Sequence, residues 1–205
     1  MAIRLGGEGV NLVLKTPPEN EPVNLTEIKD YLRLDLDNTF EDTDLMSYLT
    51  AAREYCEGVQ NRAYITQTWE LSFDSWPCSV IEIPKGSLQT INLVSYKDSE
   101  GVTTELTAIT DYVFSPRGIL GRLTPAYGKS WPSFTPFPLD AVVIEFTCGY
   151  GDNATSVPAK VIHAIKLLVS HWYEHRTPLS DTDQAPEEIA FTVSSLLWQN
   201  RIMNA

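Results

Sequence analysis

The hydrophobic period of this chain changes twice, and that change limits the folds open to it. Residues 24–60 repeat apolar side chains at helical spacing, residues 65–148 alternate as β-strands do, and residues 158–197 return to helical spacing. Strands gathered between two sets of helices indicate an α+β fold and not a doubly wound parallel sheet. We therefore predict a helical bundle built from the N- and C-terminal helices, with a central strand-rich, antiparallel insertion.

Two helices are predicted before the insertion and two after it. Asn24, with Glu27 three positions later, forms a capping-box variant that begins the first helix. The second helix is predicted over residues 43–60. Pro158 suits the first turn of the third helix. Pro186-Glu187-Glu188 begins the fourth, because acidic residues favour the positive end of the helix dipole.

The predicted organisation has three parts. Residues 1–23 form an extended N-terminal arm, since Pro17, Pro18 and Pro22 bar a helix. Residues 24–64 and 158–205 form the helical core, and residues 65–157 form the β-rich insertion. Within the insertion, strands are expected at 66–76, 80–83, 91–96, 102–106, 112–115, 119–123 and 142–148, with a hairpin loop at 98–101.

The charge of the chain excludes one class of function. Asp and Glu number 27 against 15 Lys and Arg, which leaves a formal net charge of −12. Proteins that grip nucleic acid through its phosphates need clustered basic residues, and these are scattered here. A nucleic-acid-binding regulator is therefore disfavoured. An acidic surface suits either solubility alone or a wall along which DNA slides without sticking.

Membrane and secretory roles are also disfavoured. No stretch approaches the roughly 20 apolar residues that span a bilayer, and the N-terminus has no apolar run of signal-peptide length. The three cysteines, Cys56, Cys78 and Cys148, are odd in number and far apart, so they indicate no disulfide framework. We expect synthesis in a bacterial host cytoplasm and no membrane partner.

Catalytic motifs are hard to find. His171 and His175 lie four residues apart and can share a metal with Glu174, which leaves a metal-dependent hydrolase as an alternative. Glu174, however, does not occupy the position required by the zinc-protease pattern, and histidines near a helix end also suit its dipole. No nucleophile elbow or phosphate loop is present. We predict no catalytic residue, no metal site and no cofactor.

Trp198 is the aromatic residue that most invites a functional interpretation. It lies on the last predicted amphipathic helix with Leu196 and Leu197, and Ile202 follows. Such a residue is either a core anchor or an exposed anchor for a partner, and both interpretations remain open at this point.

Several segments together resemble the head–tail connector (adaptor, or head-completion) proteins of tailed bacteriophages. The similarity runs from about Leu14 to Arg176 and depends on the order and spacing of the segments more than on any one of them. The segments are Leu14–Pro18, Glu21–Lys29, Tyr31–Arg33, Ala51–Tyr55, Asn61–Leu71, Cys148–Gly151, Val157–Pro158, Ala164–Ile165 and Leu168–Glu174.

The resemblance implies a virion structural protein at the head–tail interface. Such a subunit belongs to a homo-oligomeric ring, a dodecamer, that docks under the portal protein and supports a stopper or tail-completion protein. DNA passes through the ring without specific binding. The C-terminal helix of such rings often reaches the portal, which makes Leu196, Leu197, Trp198 and Ile202 the expected portal-binding residues. The alternative is that the chain is itself a head–tail stopper or tail-completion protein.

Overall fold

The structure is a computed structural model that describes residues 9–77, 79–175 and 185–203. The chain divides into two compact units. The first contains residues up to Pro18, Thr66–Gly149 and residues from Ile202, and the second contains Glu19–Ile65 and Tyr150–Arg201. The first unit carries the strands and the second carries the helices. The predicted α+β class is therefore confirmed.

A five-stranded antiparallel sheet forms most of the first unit. Its strand order is β1-β2-β8-β4-β5. The alternation expected of a half-buried strand is clear in β8, where Ile144 and Phe146 are buried and Glu145 between them is only partly so. The strands are β1 (Val10–Thr16), β2 (Gln67–Phe73), β4 (Leu88–Lys97), β5 (Thr103–Glu105) and β8 (Val142–Cys148).

A smaller antiparallel sheet completes this unit. It contains β3 (Ile81–Ile83), β6 (Tyr112–Ser115) and β7 (Gly121–Pro125) in the order β3-β7-β6. At Gly121 an added Cβ would collide with the side chain of Leu88, so glycine permits this close approach. Strand β7 begins two residues later than the predicted 119–123, because Gly118, with φ of 108°, turns the chain just before it.

The N-terminal segment pairs with this sheet. Residues 10–16 belong to the stretch for which the sequence predicts an extended arm, and they form the edge strand β1 beside β2, with Val10 opposite Phe73. The register shifts between Leu14 and Thr16, which leaves Lys15 at a β-bulge. The hairpin between β4 and β5 is as predicted, and the Asp98 carboxylate accepts hydrogen bonds from the N–H groups inside it.

In its described residues the second unit holds four α-helices, α1 (Leu25–Leu32), α2 (Asp42–Gln60), α3 (Ala159–Glu174) and α4 (Ala185–Trp198). Asn24 caps α1 as predicted, because the Glu27 N–H donates to Asn24 Oδ1 at 2.8 Å. The Glu27 carboxylate lies 3.5 Å from Lys166 Nζ, so the reciprocal half of the capping box is not confirmed. Pro158 is the N-cap of α3. The described helices include none that is both long enough and apolar enough to cross a membrane.

The helices bury a common core. Each contributes one apolar face, as the helical spacing predicts, and Tyr64 and Val157 fill the core beside them. The expected description of the chain as a helical bundle is nevertheless not confirmed. Eight strands in two antiparallel sheets accompany the four helices in the part of the chain that the structure describes. The strands bury side chains of their own, such as Leu71, Ile81 and Ile144.

Candidate functional site

A buried ionic cluster fixes the chain that leads into α1. Arg53, only 5 % exposed, donates from Nε to Glu21 Oε2 at 2.9 Å and from Nη1 to Glu57 Oε2 at 2.8 Å. Burial disfavours the guanidinium charge, but Glu57 and Glu21 outweigh it, so the pKa of Arg53 is raised. The other oxygen of Glu57 accepts from the Tyr64 N–H. These partners satisfy the cluster internally, which indicates a structural role.

A second buried network ties the end of α4 to the end of α2. Gln60 Nε2 donates to the Leu197 carbonyl oxygen at 2.6 Å, and the Tyr64 hydroxyl donates to Gln60 Oε1 at 2.8 Å. Arg62 Nε donates to the carbonyl oxygen of Asn200 at 2.7 Å. The backbone on both sides of Trp198 is therefore held by side chains from around the end of α2.

The four residues predicted to bind a portal occupy different environments. Leu197 is fully buried in the core of the helical unit, and Leu196 packs partly against that core. Ile202 is also buried, at 5 % exposure, and groups with the strand-bearing unit. Trp198 alone has a largely exposed side chain, at 60 %. Of the four, Trp198 is the residue whose side chain a partner can reach directly.

The surface around Trp198 is a shallow hollow of about 420 Å³ whose described lining also includes Ser194, Ser195 and Gln199. The Arg201 guanidinium carbon lies 5.3 Å from the centre of the indole ring, a distance suited to a cation–π contact. The indole is thus presented beside small polar side chains and one positive charge.

The histidines of α3 approach each other. The rings of His171 and His175 have centroids 4.9 Å apart, and His171 Nδ1 is a buried atom without a hydrogen-bond partner among the described residues. Within the described ranges, no group of three His, Cys, Asp or Glu side chains can hold a metal ion. The sequence also predicts that Pro178 ends this helix, and that position lies outside the described residues.

A feature that sequence reasoning missed runs from the end of α1 into the first turn of α2. Residues 35–44, the acidic segment, contain five carboxylates and the side chain of Phe40, which is 91 % exposed. Lys29 anchors the segment, because its Nζ donates to the Asn38 carbonyl oxygen at 2.8 Å and lies 2.5 Å from Asp42 Oδ1. Phe40 does not belong to the apolar face of either helix. A single aromatic residue among acidic ones is the sequence pattern that could have indicated an exposed side chain here.

A second missed feature lies on the small sheet. A hollow of about 220 Å³ opens there, the small-sheet hollow, with an apolar wall and an arginine at its edge. Arg117 follows β6, and its N–H donates to Ser115 Oγ at 3.4 Å. The hollow is lined by Val80, Val113, Phe114, Ser115, Arg122 and Thr124.

The chain is similar to solved structures of phage-like particles. The sequence matches no family profile and no curated protein. A chain from the neck of an empty gene transfer agent (GTA) particle, with C6 symmetry, aligns with a TM-score of 0.77 and 26% identity, over 95% of this chain and 97% of its own. The likeness supports a structural protein of a phage-like neck.

Two further structures agree with that neck protein. A chain from the virion of a native GTA particle aligns with a TM-score of 0.76 and 26% identity, over 95% of this chain and 96% of its own. A chain from the neck of a native GTA particle, with C12 symmetry, gives 0.73 and 25%, with 96% of each chain covered. The likeness to neck proteins thus includes both compact units.

Proposed function

We propose that this chain is a head–tail adaptor, a subunit of a ring that docks under the portal of a phage-like particle and extends its DNA channel. The observation that carries the proposal is the likeness to GTA neck chains over 95% of this chain. Such extensive coverage means that the neck proteins share its whole architecture and not one reused domain. The order of motifs from Leu14 to Arg176 supports the adaptor role in particular.

The proposed assembly is a closed ring of twelve copies. Two of the similar neck structures have C6 and C12 symmetry. Closed rings form when one surface of a subunit binds a different surface of the next. A closed ring also suits a part that must surround a DNA channel.

The portal-facing surface is proposed to be centred on Trp198. An exposed indole beside a hollow is the kind of anchor that dominates protein interfaces. The partly buried side chain of Leu196 is proposed to add to this surface. Leu197 and Ile202, both buried, are assigned the supporting role of holding the chain on either side of that anchor.

DNA is proposed to pass the ring without specific binding. Five of the described basic residues form ion pairs with carboxylates, so their charges are compensated within the protein. Those residues are Lys15, Lys29, Arg53, Lys129 and Lys166. The net charge of −12 adds a general repulsion toward phosphates.

Co-sedimentation with purified portal rings encoded by the same genome tests the proposal. We expect a stoichiometric ring of this protein added to one end of the portal, visible by particle imaging. Absence of binding to intact portal rings would reject the adaptor role. In that event, binding to a preformed adaptor ring would identify the chain as a stopper or tail-completion protein.

A further inference from the structure

We infer that neighbouring copies in the ring are joined by a knob-in-hollow contact, in which Phe40 of one copy enters the small-sheet hollow of the next. The inference rests on the proposed ring and adds the surfaces that build it. It assigns the occupant of both surfaces, namely a second copy of this chain. The acidic segment and the small-sheet hollow belong to different compact units of the protein.

The knob is held in place before any partner arrives. The Phe40 N–H donates to Asn38 Oδ1 at 3.1 Å, and the Asp37 N–H donates to Asp35 Oδ1 at 3.1 Å. Lys29 secures the carbonyl oxygen of Asn38 from beneath. An ordered backbone with a 91 % exposed phenyl ring loses little conformational freedom when that ring is buried against a partner.

The hollow has the size and chemistry for a phenyl ring. A cavity of about 150 Å³ accepts benzene, and the small-sheet hollow measures about 220 Å³. Val80 and Val113 are both exposed at its wall, and Phe114 contributes an aromatic surface. Exposed aliphatic side chains around an aromatic one form the kind of lining that an inserted phenylalanine prefers.

Charge complements shape at the two surfaces. Asp37 and Asp44 flank Phe40 in the acidic segment, and neither forms an ion pair with any described residue. Arg122, which lines the hollow, is exposed and likewise forms no ion pair with any described residue. Glu82 faces Arg122 across β3 and β7 without pairing to it. The acids beside Phe40 therefore match the arginine that lines the hollow.

The contact joins separate copies. None of the described residues covers the Phe40 side chain, as its 91 % exposure shows. Each copy carries one knob and one hollow, and these are different surfaces. A contact between different surfaces is heterologous and propagates from copy to copy until the ring closes.

Disulfide trapping tests this contact without requiring a portal. The double variant Phe40→Cys with Val113→Cys is oxidised at high protein concentration, with Cys78→Ser in every variant. We expect a ladder of linked species on a non-reducing gel. A mixture of the two single variants should stop at dimers, because each copy then offers one reactive surface.

The matched control moves one cysteine to another exposed valine of the same unit. Phe40→Cys with Val13→Cys reports random collision, since Val13 is 57% exposed on the edge strand β1. We expect the Val113→Cys pair to link at least tenfold faster. Equal rates for the two pairs would overturn the proposed contact.

A charge test separates this contact from general electrostatics. Arg122→Glu in the trapping background should slow linkage at least tenfold. Lys160→Glu, the same charge change on α3, should leave the rate unchanged. Equal effects of the two variants would also overturn the contact.

The adaptor role can fail separately from the contact. Wild-type rings on the portal with no trapping between positions 40 and 113 would reject the contact and keep the role. Trapping without portal binding would keep the contact and reject the role.

Discussion

Gln60 Nε2 donates to the carbonyl oxygen of Leu197 at 2.6 Å, across 137 positions of sequence. Both residues are fully buried. One side chain at the end of α2 therefore fixes the turn of α4 from which Trp198 projects. The interaction links a buried polar group to the surface proposed to meet the portal.

Replacing Gln60 by alanine should destabilise the protein. The Tyr64 hydroxyl and the Leu197 carbonyl each lose a buried partner, and an unsatisfied buried group costs about 1–3 kcal/mol. We expect the free energy of unfolding, measured with urea, to fall by roughly 2–4 kcal/mol. Gln199→Ala, at an exposed position beyond α4, is the control and should change it by less than about 0.5 kcal/mol.

Trp198→Ala should weaken portal binding and leave the stability of the protein nearly unchanged. Its indole is 60 % exposed, so we expect little change in the thermal unfolding temperature. Portal co-sedimentation should weaken at least tenfold, because interface anchors of this kind carry much of the binding energy. A large loss of thermal stability with unchanged portal binding would assign Trp198 to the core.

Arg53→Ala should be among the most damaging single substitutions. Removing one partner of a buried ion pair leaves the other charges uncompensated and costs about 3–5 kcal/mol, and here Glu21 and Glu57 would both be affected. Lys166→Ala is the control, since its pair with Glu27 is partly solvated at 3.5 Å. That pair should contribute about 1 kcal/mol or less. Urea unfolding at neutral pH measures both.

Acid should weaken the contact between Lys15 and Glu145. The hydrogen bond from Lys15 lowers the pKa of Glu145 below its usual value. The resulting stability is fully present above the pKa of an unfolded glutamate, about 4.3, and is lost as pH falls through the lower folded value. The difference in unfolding free energy between wild type and Lys15→Met should therefore be largest at neutral pH and shrink below about pH 4. A difference that stays constant with pH would contradict this assignment.

The Cys56 thiol should be unreactive in the folded protein. Burial, reinforced by Glu57, raises the pKa of Cys56 to about 12, so almost no thiolate exists at pH 8. Alkylation of Cys56, followed by peptide mass spectrometry, should occur only when denaturant unfolds the chain. Labelling of Cys56 at the rate of a free thiol in the absence of denaturant would contradict its placement in the core.

Local patterns predicted the elements well. Helix α2 was expected over residues 43–60 and occupies Asp42–Gln60, and β6 and β8 have their predicted bounds. These elements can be recognised from apolar periodicity and β-branched runs, because such patterns involve only residues that are close in sequence. The Asn24 cap was predictable for the same reason.

Pairings across long stretches of sequence were not predictable in the same way. Nothing in residues 10–16 specifies that they pair with β2, nearly sixty positions later. Leu197 takes the core position beside Trp198 and leaves the indole exposed, which the sequence could not show. The role of Trp198 as an anchor for a partner stays a prediction. The small-sheet hollow could not be foreseen, because its lining comes from β6, β7 and the residue before β3, which only the fold brings together.

The β-bulge at Lys15 affects whether free subunits can associate through the edge of their sheet. Strand β1 is an edge strand with Val13 and Leu14 exposed, a combination that invites strands from other molecules to add to the sheet. A charged residue at a break in register interrupts the row of backbone groups that such a strand would need. For a protein proposed to assemble in many copies as a ring, this interruption disfavours fibril growth through the sheet and leaves association to the side-chain surfaces.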